Sequence, residues 1–232
     1  MQAERKIIKL TDYLYSVEED FVRWFLIIGD DKAAVIDTGI FGAGVRQTAE
    51  SLTDKELILI NTHSDIDHIS GNGDFDSFYI TESDYSESDM AVKFSKSSPL
   101  FLSDGQIIEL GNRTLEIIFL SGHTSGSVGI YDRTSRSLIA GDTVQDGTIF
   151  MFGPGRNPEA FEKSLGKLKE RQSDFDRIYA SHGTVELTSD YASKVLDEWN
   201  KVRNDDCSYE EKEMFGQKIK YYKGAGCGFY VL

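Results

Sequence analysis

The sequence predicts a layered fold of the α/β or α+β class, and three features of the chain indicate it. Strand-like and helix-like segments alternate in both halves, which is typical of helices packed on sheets rather than of an all-β protein. Short apolar runs end directly before polar clusters, as ELILIN does before Thr62. Neither an internal repeat nor a low-complexity linker interrupts the chain. The prediction is therefore a single domain that spans residues 1–232.

The amino-terminal part of the chain is predicted to be rich in strands. LYSVEED, VRWFLIIG and KAAVIDTG are short runs of β-branched and aromatic residues, separated by turn-like DF and DD pairs. GVRQTAESL then places Val45, Ala49 and Leu52 at helical spacing, which predicts the first helix. ELILIN follows as a continuous apolar run, which is typical of a strand that is buried on both faces.

The remaining segments continue this alternation. YSESDMAVKF predicts a helix, and QIIEL, RTLEIIFL, SVGIYD, SLIAG and RIYAS predict strands. PEAFEKSLGKLKER is amphipathic and carries Pro158 in its first turn, so it predicts a helix. SDYASKVLDEWNKVRN predicts the last long helix, with Ser189 as its N-cap. QKIKYYKG and CGFYVL predict a closing hairpin. Its lysine-bearing strand is predicted to be a solvated edge, and a local guide for anions is the alternative.

The composition excludes several classes of function. Of the 232 residues, 40% are hydrophobic and 28% are charged, as in ordinary globular proteins, and the net charge is −14. An acidic surface repels phosphate backbones, so no nucleic-acid partner is expected. No apolar run reaches the ~20 residues of a membrane helix, and the first residues lack the apolar centre of a signal peptide. We therefore expect a cytoplasmic protein without a membrane partner, in which Cys207 and Cys227 are reduced structural thiols.

All four histidines of the chain follow predicted strand ends. ELILIN leads to THSDIDH with His63 and His68, RTLEIIFL leads to SGHTSGS with His123, and RIYAS leads to SHG with His182. Asp142 follows SLIAG in the same way. Any one of these residues could be an ordinary hydrogen-bonding or turn residue. If the strands run parallel, however, their ends converge on one rim, and the collected nitrogen and oxygen donors predict a site for divalent metal ions.

THSDIDH, SGHTSGS, GDT and SHG, in this order, resemble the motif set of the metallo-β-lactamase superfamily of hydrolases, and the early VIDTG matches its usual strand end. The resemblance implies a four-layered αββα sandwich with two metal ions at the rim where the sheets meet. It assigns the ligands as His63, Asp65 and His123 for one ion, Asp67, His68 and His182 for the other, and Asp142 as a bridge. Asp37 would lie behind the ligands and orient their loop, although IDTG is also ordinary turn chemistry.

Residue 65 departs from the family pattern, because the usual motif is HxHxDH and this chain carries HxDxDH. Asp65 replaces an imidazole with a hard, negatively charged oxygen, which favours iron or manganese more than the all-histidine version does. Zinc accepts aspartate oxygen as well and is the expected metal. Because aspartate is shorter than histidine, direct ligation, ligation through water and a weakly held ion all stay open, and direct ligation is the prediction. Flavin-linked di-iron proteins resemble this pattern by carrying Glu at the same place.

In length and layout the chain resembles the small glyoxalase II-like and lactonase-like members of the superfamily, and this resemblance implies a metal-dependent hydrolase of a small ester, thioester or lactone. A hydroxide held between two metal ions would attack the carbonyl carbon, and Asp67 is the catalytic candidate that orients it or shuttles its proton. The chain contains neither GxSxG nor GxGxxG. Two alternatives stay open: a di-iron redox or oxygen-reducing protein that needs a separate electron donor, and a non-catalytic metal-binding module. The expected partner is a small-molecule substrate, and a homodimer is left open.

Two loop segments are expected to form the substrate pocket. The segments 79–99 and 143–158 are expected to border the rim, and the run from Thr148 to Phe152 is a candidate apolar wall. The same residue types also fill cores and dimer contacts, so that interpretation is equally open. The candidate wall residues are Tyr85, Met90, Phe94, Phe150, Met151 and Phe152.

Overall fold

A seven-stranded sheet forms the first half of the fold in the computed structural model, which describes residues 4–88 and 98–232. Its strands lie in the spatial order β1 (Lys6–Lys9), β2 (Leu14–Glu19), β3 (Val22–Ile28), β4 (Lys32–Ile36), β5 (Glu56–Ile60), β6 (Phe78–Ile80) and β7 (Pro99–Phe101). The first four form an antiparallel meander, whereas β4 to β7 pair in parallel. The carboxyl ends of β4 and β5 therefore lie at the same edge of this sheet.

A six-stranded sheet forms the second half. Its strands lie in the spatial order β14 (Glu186–Thr188), β13 (Arg177–Tyr179), β11 (Ser137–Ile139), β10 (Val128–Asp132), β9 (Thr114–Phe119) and β8 (Ile107–Glu109). β9 and β11 are each antiparallel to β10, and β13 is parallel to β11. It follows that β9, β11 and β13 all point the same way and that their carboxyl ends share one edge.

Helices cover the outer faces of these two sheets. In the described part of the chain the α-helices are α1 (Val45–Glu50), α2 (Ile66–Ile69), α3 (Glu82–Glu87), α4 (Pro158–Glu170) and α5 (Tyr191–Arg203). The helix predicted at 85–94 overlaps α3, which begins earlier, at Glu82. Residues 89–94 of the predicted segment lie outside the described residues. The N-cap prediction for Ser189 is wrong, because α5 begins one residue later than expected and Asp190 occupies the N-cap position.

Alternation along the central strands builds three apolar cores, because successive side chains of a strand point to opposite faces. Along β3, Phe25 and Ile27 enter the core between the two sheets, whereas Trp24 and Leu26 enter the core beneath α1 and α2. Along β11, Ile139 faces the inter-sheet core, and its neighbours face the core beneath α4 and α5. The layers are thus helix, sheet, sheet and helix, and the predicted αββα sandwich is confirmed.

A four-stranded sheet extends the layer that contains α4 and α5, and it was not predicted as a unit. Its strands lie in the order β12 (Thr148–Met151), β17 (Gly228–Val231), β16 (Gln217–Lys223) and β15 (Tyr209–Met214). The closing hairpin β16–β17 is present as predicted. β16 is not an edge strand of the sheet, however, because β15 pairs with its residues from Gln217 to Tyr222. The parallel pairing of β12 with β17 joins the segment after Asp142 to the carboxy-terminal hairpin.

Two further features bear on the sequence-based expectations. Among residues 4–88 and 98–232, no helix combines the length and the apolar character that are needed to span a bilayer. Cys207 and Cys227 are both free thiols. Burial raises the pKa of the Cys227 thiol to about 12, so this side chain stays protonated and unreactive at neutral pH.

Candidate metal centre

The carboxyl ends of five strands meet at one rim of the sandwich. β4 ends at Asp37 and β5 leads to His63 on the first sheet, while β9, β11 and β13 lead to the remaining segments on the second sheet. The structure brings all seven predicted ligands together. They form three groups whose donor atoms lie within 4.8 Å of one another: His63, Asp65 and His123; Asp67, His68 and His182; and His63, His68 and Asp142.

The first group is centred on the Asp65 carboxylate. Its Oδ2 atom lies 3.1 Å from Nε2 of His123 and 3.6 Å from Nε2 of His63. The shorter side chain at residue 65 therefore does reach the two imidazoles that accompany it in the predicted ligand set. The Asp65 side chain is 28% exposed, so it also faces the cavity above the site.

The second group is joined to the first by Asp142. Oδ2 of Asp67 lies 3.4 Å from Nε2 of His182 and 3.8 Å from Nε2 of His68. Oδ1 of Asp142 lies 3.2 Å from Nε2 of His182 and 3.3 Å from Nε2 of His68, while its Oδ2 lies 3.6 Å from Nε2 of His123. One carboxylate oxygen thus faces each group, which is the geometry that a bridging ligand requires.

Hydrogen bonds behind the site orient two of the imidazoles. Nδ1 of His68 lies 2.8 Å from Oδ2 of Asp37, and Nδ1 of His182 lies 2.9 Å from the carbonyl oxygen of Phe21. Because the carbonyl can only accept and the carboxylate accepts when ionised, each Nδ1 donates, and a ring whose Nε2 has lost its proton to a metal ion would direct the Nε2 lone pair into the site. Metal ligands need this tautomer.

Several donor atoms of the site are buried without a hydrogen-bond partner in the described residues. They are Nε2 of His63, Nε2 of His68 and Oδ1 of Asp142. Buried polar atoms in folded proteins are nearly always paired, and exceptions call for a ligand, an ion or water. Divalent cations would satisfy all three atoms at once, so the residues present fit the metal ions that the motif set implies.

Asp37 contacts His68 and Thr62 at the ends of β4 and β5. Its carboxylate accepts hydrogen bonds from the backbone N–H and the hydroxyl of Thr62, each at 2.7 Å, in addition to the bond from His68. Its backbone is in the left-handed region, with φ at 65°, where aspartate is tolerated better than bulkier residues. Asp37 is therefore more than a turn residue, because it links the ends of β4 and β5 to an imidazole of the site.

We expect Asp37→Asn to weaken metal binding by about 10–100-fold, because an amide nitrogen at the Oδ2 position would no longer accept the Nδ1 proton of His68. Titration with a competing chelator measures the change. Asp132→Asn is the matched control, since Asp132 is equally buried but serves a turn after β10. An Asp37→Asn protein that holds metal as tightly as the control would contradict this role.

The clustered charges shift the pKa values of Asp65 and His68, whereas burial lowers the pKa of His123. Burial alone would raise the pKa of Asp65, but the neighbouring imidazoles of His123 and His63 outweigh it and hold that pKa well below its usual value. Burial alone would lower the pKa of His68, but the surrounding carboxylates, with Asp142 foremost, raise it well above its usual value. The site thus keeps ionised carboxylates and attracts positive charge.

Arg156 contacts the site and was not identified from the sequence. It lies in the loop after β12, and one of its guanidinium nitrogens donates a hydrogen bond to Oδ2 of Asp65 and lies 3.4 Å from Nε2 of His123. Gly153 and Gly155 adopt φ values of 101° and 76°, which turn this loop back toward the rim. Asp65 and Arg156 are separated by 91 residues, so no local spacing could have linked them.

Asp84 is a second residue that sequence reasoning missed. It lies on α3, is buried, and accepts hydrogen bonds from the backbone N–H of Ser64 at 2.8 Å and of Gly126 at 2.7 Å. The hydroxyl of Thr124 donates to it as well, at 3.0 Å. Asp84 therefore fixes the loop that carries His63 and Asp65 against the loop that carries His123. Asp84 directly precedes the segment predicted as a helix, and no motif of the sequence pointed to this role.

The predicted wall residues divide according to strand alternation. Phe150 and Phe152 line the cavity above the site, whereas Met151 between them is buried in the core beneath α4 and α5. Tyr85 packs against the core beneath α1 and α2 instead. Met90 and Phe94 lie outside the described residues.

Comparison with known proteins identifies the family. The family model described as the metallo-beta-lactamase superfamily matches residues 17–182, which include every predicted ligand. This chain belongs to the metallo-beta-lactamase superfamily. The resemblance carried by the four motifs is thereby confirmed, with Asp65 as a departure inside the most characteristic of them.

Relatives within the superfamily include named hydrolases. The chain is 28% identical over 164 residues to a hydroxyacylglutathione hydrolase of Crocosphaera subtropica, a match that covers 66% of this chain and 60% of that protein. It is 25% identical over 190 residues to the acyl-coenzyme A thioesterase MBLAC2 of Homo sapiens, covering 62% of this chain and 68% of that protein. A metallo-beta-lactamase from Pontibacter korlensis shares the fold with a TM-score of 0.73 at 16% identity, covering 85% of this chain and 99% of that one.

Proposed function

We propose that the protein is a metal-dependent hydrolase that cleaves an acyl thioester of a small thiol. The observation that carries the proposal is the convergence of seven side chains with nitrogen and oxygen donors, several of them buried and unpaired, beside a large cavity that five of them line. The two curated relatives compared above are named for the hydrolysis of acyl groups from glutathione and from coenzyme A, both of which are thiols. A thioester is therefore preferred over the ester or lactone that the sequence left equally open.

Two divalent metal ions are part of this proposal. The chemistry that such a pair supplies is Lewis-acid polarisation of a carbonyl and acidification of water. Zinc is the expected metal, and the Asp65 oxygen also suits iron or manganese. The residues that would hold the ions are His63, Asp65 and His123 for one, Asp67, His68 and His182 for the other, and Asp142 between them.

Asp67 is the proposed proton carrier. Its side chain is 17% exposed and lines the cavity, and its Oδ2 faces the Nε2 atoms of His182 and His68. A carboxylate in this position can orient the attacking water and pass its proton to the leaving thiolate. Arg156 is the proposed positioning residue for Asp65, since its guanidinium holds the carboxylate in place and offsets the extra negative charge that aspartate brings to this group.

The proposal also includes the domain organisation, the location and the partners of the protein. Residues 1–232 would form one domain in the cytoplasm, with a small-molecule substrate and with neither nucleic acid nor membrane as a partner. A second function, a di-iron redox protein that receives electrons from a separate donor, is favoured by one observation, the carboxylate at residue 65. Bound iron with an optical charge-transfer band and no thioesterase activity would support that alternative.

The proposed function is tested with protein purified without added metal. Elemental analysis should find close to two divalent ions per chain, and release of free thiol from acetyl and longer acyl thioesters should be measurable. Treatment with a chelator should abolish the activity, and zinc, manganese or iron should restore it. A metal-loaded protein that releases no thiol from any of these thioesters, or an activity that survives complete removal of metal, would overturn the proposal.

A further inference from the structure

Four aromatic side chains form a continuous apolar surface beside the candidate metal centre. Phe150 lies on β12, Phe152 directly follows it, Tyr230 lies on β17, and Phe215 lies in the turn between β15 and β16. The ring centroids of Phe150 are 4.9 Å from those of Tyr230 and 5.8 Å from those of Phe152, and Phe152 is 6.2 Å from Phe215. We call these four residues the aromatic shelf.

The aromatic shelf and the candidate metal centre line the same cavity. Its volume is about 1200 Å³, and its described lining includes the four shelf residues together with Asp65, Asp67, His123, Asp142 and His182. Typical small-molecule pockets measure roughly 300–1,000 Å³. The space is therefore larger than a short acyl group needs, and the shelf lies where a group attached to the reacting carbonyl could extend.

Phe215, at the end of the shelf, has a left-handed backbone conformation that is unfavourable for a bulky side chain. It is 84% exposed, and with φ at 50° it stands before Gly216 at 74° in a two-residue turn between Met214 and Gln217. Such hairpin turns favour Asn-Gly, because both central residues have positive φ and bulky side chains are strained there. Stability of the turn does not explain an exposed phenylalanine, whereas its stacking on Phe152 within the cavity does.

The charges of the cavity do not suit a polyanionic group along the shelf. Among the described residues that line the cavity, Arg156 is the only arginine or lysine. Its guanidinium is already paired with Asp65. Asp84 and Glu87 add negative charge to the lining beyond the candidate ligands. Aromatic rings instead bind apolar groups by removing their surface from water.

We propose that the aromatic shelf binds an uncharged, apolar acyl chain of the thioester, which makes the hydrolase selective for longer acyl groups. The inference rests on the proposed function, because that function places the reacting carbonyl at the candidate metal centre. The acyl chain of the substrate would run from the metal centre past Phe150 and Phe152 toward Phe215.

The kinetic test uses acetyl, hexanoyl and decanoyl thioesters of N-acetylcysteamine, an uncharged thiol. For the metal-loaded protein, kcat/KM should rise by about threefold for each methylene that reaches the shelf, mainly through KM. In Phe215→Asn, kcat/KM for the decanoyl thioester should fall by roughly tenfold, while the acetyl thioester changes less than about twofold. The substitution creates the Asn-Gly pair that the turn prefers, so the hairpin is retained.

Tyr209→Thr is the matched control, because Tyr209 is an exposed aromatic residue on the same sheet at the other end of β15. It should leave the chain-length profile unchanged. Equal loss of activity on acetyl and decanoyl thioesters in Phe215→Asn, or a flat profile in the unaltered protein, would overturn the inference while leaving the proposed function intact.

A binding measurement separates the inference from the reaction. Calorimetry compares S-ethyl and S-decyl thioethers of N-acetylcysteamine, which lack the carbonyl and are not hydrolysed. The decyl compound should bind the metal-loaded protein at least tenfold more tightly, and Phe215→Asn should remove most of this difference. That result would support the shelf even if no thioester were hydrolysed, in which case the proposed function alone would fail. Equal binding of both thioethers would overturn the shelf.

Discussion

Replacing His68 with alanine is expected to lower thioester hydrolysis by at least about 1,000-fold, because the metal pair contributes several kcal/mol to catalysis. Nε2 of His68 faces both Asp67 and Asp142, so its loss opens the second group of ligands and disturbs the bridge. Metal content should fall from two ions to one or fewer per chain. Steady-state kinetics and elemental analysis of the same preparation measure both effects.

The control for this prediction concerns Asp37. His68→Ala leaves the Asp37 carboxylate buried without its imidazole partner, which can lower the free energy of unfolding. Combining His68→Ala with Asp37→Asn removes the stranded charge and should recover thermal stability without recovering activity. A folded His68→Ala protein that hydrolyses thioesters at near the original rate would contradict the assignment of His68.

Asp65→His is expected to change which metal is bound while part of the activity remains. The substitution restores the imidazole of the usual family motif, so the preference should move toward zinc and away from iron and manganese. Equilibration with equal concentrations of these metals, followed by elemental analysis, measures the ratio bound. Activity with zinc should stay within about tenfold of the original, because a single ligand exchange preserves the metal pair.

The control for Asp65→His is a double variant in which Arg156 is also replaced. In that variant the guanidinium loses its carboxylate partner and lies against two imidazoles instead. Adding Arg156→Gln removes the uncompensated charge and should improve zinc binding over Asp65→His alone. Loss of all metal from both variants would mean that Asp65 acts by some route other than as a ligand.

The strands that deliver the site were predictable because they are short apolar runs with polar residues directly after them. Apolar residues dominate ELILIN, RTLEIIFL and RIYAS, so β5, β9 and β13 were predicted from the local pattern alone. The expected parallel direction holds for β9 and β13 within the second sheet, whereas β5 lies in the first sheet, so the approach of His63 to His123 and His182 depends on how the two sheets pack.

The parts that escaped prediction depend on contacts between distant segments. β15, with the sequence YEEKEM, is mostly exposed and charged, so it carries no apolar period, and its strand form rests on pairing with β16. The parallel pairing of β12 with β17 joins segments about 80 residues apart in the chain, for which no local pattern exists. Arg156 escaped for the same reason, since only the folded loop places it on Asp65.

A crystal structure of the protein grown with zinc, with anomalous diffraction recorded at the zinc edge, tests the central claim most directly. Two anomalous peaks about 3.5–4 Å apart are expected, each about 2.0–2.2 Å from the donor atoms of its histidines and aspartates, with Asp142 touching both. A map without anomalous density among these seven side chains, or with their donor atoms turned away from one another, would contradict the account.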